Sequence, residues 1–194
     1  MRYPEGHREK TRSRILETAG KLFKKSGYSA TGVDAVMSAA GLTAGGFYNH
    51  FGSKDDLFAG TLDRALDDQV KRWTADPEGA DPARVLGFIE RYLSEQHRNG
   101  TVEGCALPSL APEVARAGTV VRRVLEKHLR SFLPYLESSL SGPDRAARAL
   151  AILALSVGGI VLARGVASRA FSSSILAACR DAARRLATLE ETTA

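Results

Sequence analysis

Cysteine is scarce in this 194-residue chain. Cys105 and Cys179 are the two present, with no CxxC spacing and no clustered histidine beside them. That disfavours a disulfide scaffold and suits a reducing cytoplasm. His7, His50, His97 and His128 are scattered, without carboxylate or cysteine partners at ligand spacing, so no metal is expected. Catalytic signatures are lacking as well: there is no GxSxG elbow, no HExxH and no GxGxxG following a strand. Gly46 to Ser53 fails the P-loop test, because Gly52 is followed by Ser before Lys54. The expectation is a non-enzyme without cofactor.

Long apolar runs are missing too. Ala149 to Ala163 is uncharged between Arg148 and Arg164, but a membrane span needs about 20 residues, so a buried helix is expected and no membrane partner. The N-terminal stretch Met1 to Arg14 is polar and charged rather than an apolar signal core, which suggests a chain retained in the cytoplasm. No segment alternates convincingly as a strand.

Helical spacing, by contrast, is nearly everywhere. It is carried by Ile15, Leu16, Ala19, Leu22 and Phe23, by Phe58, Leu62, Leu66, Val70 and Trp73, and by Val121, Val124, Leu125, His128 and Phe132. Gly, Pro and Asp punctuate it at Ser26-Gly27, Gly41, Gly52-Ser53, Asp76 to Pro82, Asn99-Gly100, Ser141-Gly142-Pro143 and Arg164-Gly165. This predicts an all-α fold of about nine helices, short before Gly52 and longer after it. The boundary is placed after residue 53: a helix-turn-helix domain over 1–53, then an effector-binding and dimerisation domain over 54–194, with a helix from Lys54 to about Trp73 bridging them. The net charge is +5, and residues 1–54 hold nine Lys/Arg against four acids, so the excess sits at that end. A basic end on a neutral body fits attraction to phosphates, although plain solvated surfaces share it.

From Thr31 to Phe51 the order is cap, short helix, tight turn, cap, short helix, the plan of a helix-turn-helix. Thr31 is expected to cap the first helix, with Asp34 reaching back as in a capping box. Gly41 suits the left-handed turn, Leu42 plugs the space between helices, and Thr43 caps the second helix. Phe47 and Phe51 are four apart and anchor inward, leaving Tyr48, Asn49 and His50 to hydrogen-bond bases or phosphates. Gly45 and Gly46 would each cost a helix interior about 1 kcal/mol against Ala. Either bulk is unwelcome there because DNA backbone comes close, or the glycines loosen a short helix. Ser53-Lys54-Asp55-Asp56 opens the next helix with a cap that sets the Lys54 ammonium near free N–H groups.

The segments Thr31 to Thr43 and Gly46 to Lys54, with Leu57, resemble the TetR family of repressors. The resemblance covers about residues 8 to 60 by motif and the remainder by helix number and length. It implies that Thr43, Ala44, Gly45, Tyr48, Asn49 and His50 lie in or beside the major groove, with Thr31 and Lys54 on phosphates. Met37 stands where a small residue is common, and the Gly45-Gly46 pair is looser than the family pattern.

Two recognition helices meet successive major-groove faces about 34 Å apart only in a dimer on a roughly palindromic operator. The apolar stretch Ala149 to Ala163 and the last helix offer the interface, through Leu155, Gly158, Gly159, Leu162, Cys179, Ala183 and Leu186; an intramolecular core is the alternative. The resemblance likewise makes these two helices a four-helix dimer bundle. Trp73, Phe88, Tyr92, His97, His128, Phe132 and Tyr135 mix apolar bulk with polar tips as effector pockets do, though each alone is more often plain core. Pro134 should kink or break its helix. The resemblance implies that an effector moves the bridging helix and weakens operator binding. Cys105 follows a polar loop; at a helix N-terminus its pKa would fall and favour thiolate chemistry, against the alternative of a half-buried small residue. The expectation is a DNA-binding regulator released by a small-molecule or thiol-reactive effector, against a helical protein-interaction module with a vestigial helix-turn-helix.

Overall fold

Nine α-helices and one 3₁₀ helix, with no strand, make up the described part of the computed structural model, residues 6–74, 82–101 and 104–189. They are α1 (His7–Ser26), α2 (Val33–Ala39), the 3₁₀ helix (Ala44–Asn49), α3 (Lys54–Trp73), α4 (Pro82–Tyr92), α5 (Glu95–Asn99), α6 (Ala106–Arg116), α7 (Thr119–Glu137), α8 (Arg145–Gly165) and α9 (Arg169–Ala187). The all-α expectation holds. Most of the expected break at Asp76 to Pro82 lies outside the described residues. Helix lengths do not divide at Gly52: α1 runs 20 residues because its apolar stripe is continuous, whereas α4, α5 and α6 run 11, 5 and 11.

Caps set the boundaries. Gly27 stops α1 at φ 85° and its N–H donates to the Phe23 carbonyl. Ser53 accepts from the Asp56 N–H at 3.0 Å while the Asp56 carboxylate accepts from the Gly52 N–H at 3.0 Å, so both ends of a cap are filled as α3 starts. Ser94 accepts from the His97 N–H at 3.1 Å and starts α5, a boundary that no Gly or Pro marks. Pro134 does not break α7, which continues to Glu137. Pro134 is exposed and one turn from the helix end, where the loss of one intrahelical hydrogen bond does not stop the helix.

Two apolar clusters form the interior. In the first, Ile15, Ala19 and Phe23 of α1 pack with Val36 and Met37, with Phe47 and Phe51, and with Leu57, Phe58 and Leu62 of α3. Leu110 and Val114 of α6 and Val121 of α7 complete it, so the N-terminal helices share their core with later ones. In the second, Phe88, Ile89 and Tyr92 of α4 meet Phe132 and Leu136 of α7, Ile152 and Ile160 of α8, and Leu176 and Ala183 of α9. Among the described residues α8 alone is long and apolar enough to cross a membrane by length and composition. Its uncharged run is shorter than the helix, because Arg148 and Arg164 belong to it. One face of α8, with Ile152, Ser156 and Ile160, is buried in the second cluster. Buried Arg148 donates to the carbonyls of Pro143, Ser141 and Leu186, tying the α7–α8 turn to the end of α9.

Candidate nucleic-acid interface and effector cavity

The turn between α2 and the 3₁₀ helix is built as expected: Gly41 adopts φ 68° and Leu42 is half-buried against the first core cluster. Thr43 occupies the cap position, but its side chain makes no capping bond. The recognition segment is 3₁₀ rather than α-helical, only six residues long. Two glycines near its start leave little propensity for a full α-helix. Buried Phe47 and Phe51, ring centroids 5.7 Å apart, fix it to the core. Tyr48 is 76% exposed beside exposed Ala44, Gly45 and Asn49 and half-buried His50. A Cβ on Gly45 would meet nothing within 4 Å, and one on Gly46 only ordinary contacts with Met37 and Thr43. Among the described residues nothing therefore requires a glycine at 45.

Two expectations here need correcting. Gly32, not Thr31, is the N-cap of α2, and no side chain caps it. Thr31 is buried, its hydroxyl donating to the Gly27 carbonyl at 2.7 Å, which closes the α1–α2 turn. The Lys54 ammonium lies 4.3 Å from the Tyr28 ring centroid and 3.5 Å from the Ser29 carbonyl, not against the α3 N-terminus, because an aromatic face offers it a better partner than N–H dipoles of the same sign.

Basic residues of α1, which carry no motif of their own, border this surface. Arg8 donates to the Asn49 carbonyl at 2.9 Å, and the Arg12 guanidinium lies 4.9 Å from the Phe51 ring centroid. Burial, then the nearby positive charges of Arg8, Arg12 and His7, holds His50 below the ordinary imidazole value, and its Nδ1 is buried without a partner. The head is clamped from behind by α6: Glu113 accepts from the Tyr28 N–H at 2.5 Å and the Ser29 N–H at 3.0 Å. Tyr28 stacks on Phe58 at 4.3 Å and donates its hydroxyl to Asp55.

The aromatic residues expected to line a pocket do converge. Phe88 lies 4.9 Å from Trp73, 5.2 Å from Tyr92 and 5.6 Å from Phe132, centroid to centroid, and Tyr92 lies 4.4 Å from His97. Trp73, His97 and Cys105 line an open cavity of about 410 Å³, with Arg72 and Arg91 at its wall. Trp73 and Cys105 also line an apolar seam of about 30 Å³ walled by Phe88, Tyr92, His128 and Phe132. His128 is engaged by Asp63, Nε2 to Oδ1 2.8 Å, an oxygen that also accepts from Lys127 at 2.9 Å. Cys105 does cap a helix, α6, but the low pKa does not follow. The thiol is buried with the Tyr92 hydroxyl 3.5 Å away, and burial pushes it up against the opposing pull of Tyr92, the Leu107 N–H and the charges of Arg164 and Arg72. Cys105 is fully buried, not half-buried.

The residues expected at a subunit interface separate into two groups. Gly159 and Ala183 are buried inside this chain; a Cβ on Gly159 would come 2.8 Å from Leu93 and 3.0 Å from the Cys179 sulfur. Those residues bring α8 close to α9 and α4, the intramolecular alternative. Leu155, Cys179 and Leu186 are half-buried against the same cluster. Leu162 is 60% exposed, and Gly158 has nothing within 4 Å of where a Cβ would stand. With Leu150, 52% exposed, and exposed Ala154 they form a stripe at four-residue spacing along α8, beside Phe171 of α9 at 59%.

Residues 15–61 match the family described as bacterial regulatory proteins, tetR family. The chain is 26% identical over 133 residues to the transcriptional repressor NemR of Escherichia coli K12, covering 67% of each protein. It is 43% identical over 105 residues to the transcriptional regulator AcrR of Shigella flexneri, covering 49% of this chain and 47% of that one. In structure it is similar to E. coli NemR in its reduced form, TM-score 0.78 at 22% identity, covering 94% of this chain and 100% of that one. It is also similar to FadR of Bacillus subtilis in complex with stearoyl-CoA, TM-score 0.69 at 16% identity, covering 91% and 97%.

Proposed function

We propose, from the premise that this chain belongs to the TetR family of transcriptional regulators, that it acts as a homodimeric repressor binding a palindromic operator and released by a small molecule. The observation that carries this is the polar face of exposed Tyr48 and Asn49 and half-buried His50 on a segment anchored by buried Phe47 and Phe51, with Arg8, Arg12 and Lys54 around it. A turn kept for structure alone does not need polar side chains on its open face, whereas base edges and phosphates are read by such groups. Tyr48, Asn49 and His50 with Thr43 and Ala44 face the groove, Gly45 allows the backbone to come close, and Lys54 meets phosphate. Residues 1–53 form the reading domain and 54–194 the sensing and dimerising one.

The apolar stripe Leu150, Ala154, Gly158 and Leu162 with Phe171 is the surface that a second copy covers, since exposed apolar residues in one contiguous strip favour burial against a partner. Trp73, Phe88, Tyr92, His97, Cys105 and Phe132 surround the effector. A noncovalent ligand is favoured over a thiol-reactive one because the Cys105 sulfur is buried and its thiolate disfavoured.

Selection of duplexes from a random pool by the purified protein tests this reading. The expected result is one enriched palindrome with half-sites about a helical turn apart, whose affinity falls steeply with salt. Tyr48→Ala and Lys54→Ala should each weaken binding to it while helicity and dimerisation persist. A well-folded dimer that enriches no site, with or without candidate effectors, would move the assignment to a protein-interaction module.

A further inference from the structure

The open cavity and the apolar seam behind it share three residues, Gln69, Trp73 and Cys105, and differ in character. The seam is narrow, about 30 Å³, and is lined by hydrocarbon, rings and little else. The outer chamber carries Arg72 from α3, Arg91 from α4 and His97 from α5, and among the described residues no carboxylate lines it. The two guanidinium groups are held in place: Arg72 donates to the Gln69 side chain at 2.8 Å, and Arg91 donates to the Gly87 carbonyl at 3.2 Å with its guanidinium carbon 4.7 Å from the Trp73 ring centroid. His97 Nδ1 is turned to the Tyr92 carbonyl at 2.7 Å. At the boundary between chamber and seam the Trp73 indole nitrogen is buried with no hydrogen-bond partner. An unmet buried donor is costly to keep, and a polar ligand atom at that position relieves the cost.

We infer that the chamber and seam together form a binding site for a small amphipathic carboxylate. Its carboxylate meets the Arg72 and Arg91 guanidinium groups and accepts from the Trp73 indole N–H, and its apolar tail passes Cys105 into the seam. Guanidinium is the side-chain cation best matched to a planar carboxylate, and the chamber's volume lies within the ordinary range for small-molecule sites. Tail insertion widens a seam that now holds little more than a water, and so separates Leu66, Val70 and Trp73 of α3 from Phe88 and Phe132. The inference rests on the effector-binding reading above and names the chemistry of the ligand.

Titration calorimetry on the full chain with 4-phenylbutyrate, its uncharged amide 4-phenylbutanamide, and acetate tests it. Phenylbutyrate is expected to bind about tenfold or more tighter than either of the others, since both the charge and the tail contribute. Arg72→Gln and Arg91→Gln, at exposed positions where folding is not at stake, should each weaken phenylbutyrate about fivefold or more and leave the amide unchanged. Equal affinity for acid and amide, unchanged binding in both variants, or no phenylbutyrate binding at about 10 mM would each overturn the inference. The same titrations repeated with the selected operator separate the two levels. Charge-dependent binding that leaves operator affinity unaltered supports the site and removes its role as effector site.

Discussion

At the scale of single residues, the proposed reading surface includes exposed positions with no evident internal duty among the described residues. Gly45 is the sharpest case, since an added methyl group there meets open space. Gly45→Ala should keep or slightly raise the melting temperature, through about 1 kcal/mol of helix propensity, while lowering operator affinity about tenfold or more. Parallel melting and DNA-titration curves check this, and an undiminished affinity would assign the glycine to local looseness instead. Two histidines set the acid response. His50 is held below the ordinary imidazole value by burial and then by Arg8, Arg12 and His7. His97 is held down by burial, against the Tyr92 carbonyl, with Arg164 adding to the depression. The unfolded chain takes up protons that the folded chain refuses, so their stabilising contribution is full above the unfolded value near pH 6.5 and is lost as pH falls below it. The melting temperature should drop between about pH 7.5 and about pH 5.5, and less steeply in His97→Gln.

At the scale of elements, α6 reaches both functional regions. Its N-cap, Cys105, lines the cavity, and Glu113 two turns on holds the α1–α2 turn through the Tyr28 and Ser29 N–H groups. Glu113→Ala should destabilise the protein by about 2 kcal/mol and raise amide exchange at Tyr28 and Ser29 by tenfold or more, as read by hydrogen-exchange mass spectrometry or NMR. Unchanged exchange at those two amides would mean the carboxylate is dispensable. This contact also marks the limit of what the sequence could disclose. The helix-turn-helix was legible because each part has a local rule: a turn glycine at Gly41, paired anchors at Phe47 and Phe51, and a cap at Ser53. The aromatic residues of the cavity were legible as a set, because each recurs at helical spacing. Glu113 reaching Tyr28 across 85 positions leaves no local trace, and neither does Lys54 turning to an aromatic ring rather than to its own helix. Thr31 misled for a related reason: a hydroxyl three residues before an acid suits a cap, yet the Gly27 carbonyl was nearer. Arg72 and Arg91, 19 positions apart on different helices, carry no local pattern that announces their meeting at one chamber.

At the scale of the whole molecule, the exposed strip on α8 makes the oligomeric state testable without knowledge of operator or effector. Leu162→Glu places a charge at an exposed leucine of the strip, so it should yield a folded monomer with reduced operator affinity. Sedimentation velocity and circular dichroism check this, and a dimer that persists would place the subunit contact elsewhere. Of the two helices read as interface, the inward-facing residues were indistinguishable by sequence from the outward ones, because small and apolar residues serve close packing within a chain and between chains alike. One further property follows from α3 joining both functional regions. Its 20 residues span about 30 Å, with Ser53 beside the reading surface at one end and Trp73 at the chamber at the other. Such a rod is a lever with mechanical gain: pivoting it by about five degrees at Trp73 carries its first turn sideways by about 2.6 Å, close to the length of a hydrogen bond. In the proposed mode of DNA reading, a displacement too small to reshape the chamber would thus be large enough to take the recognition segment out of register with a base edge.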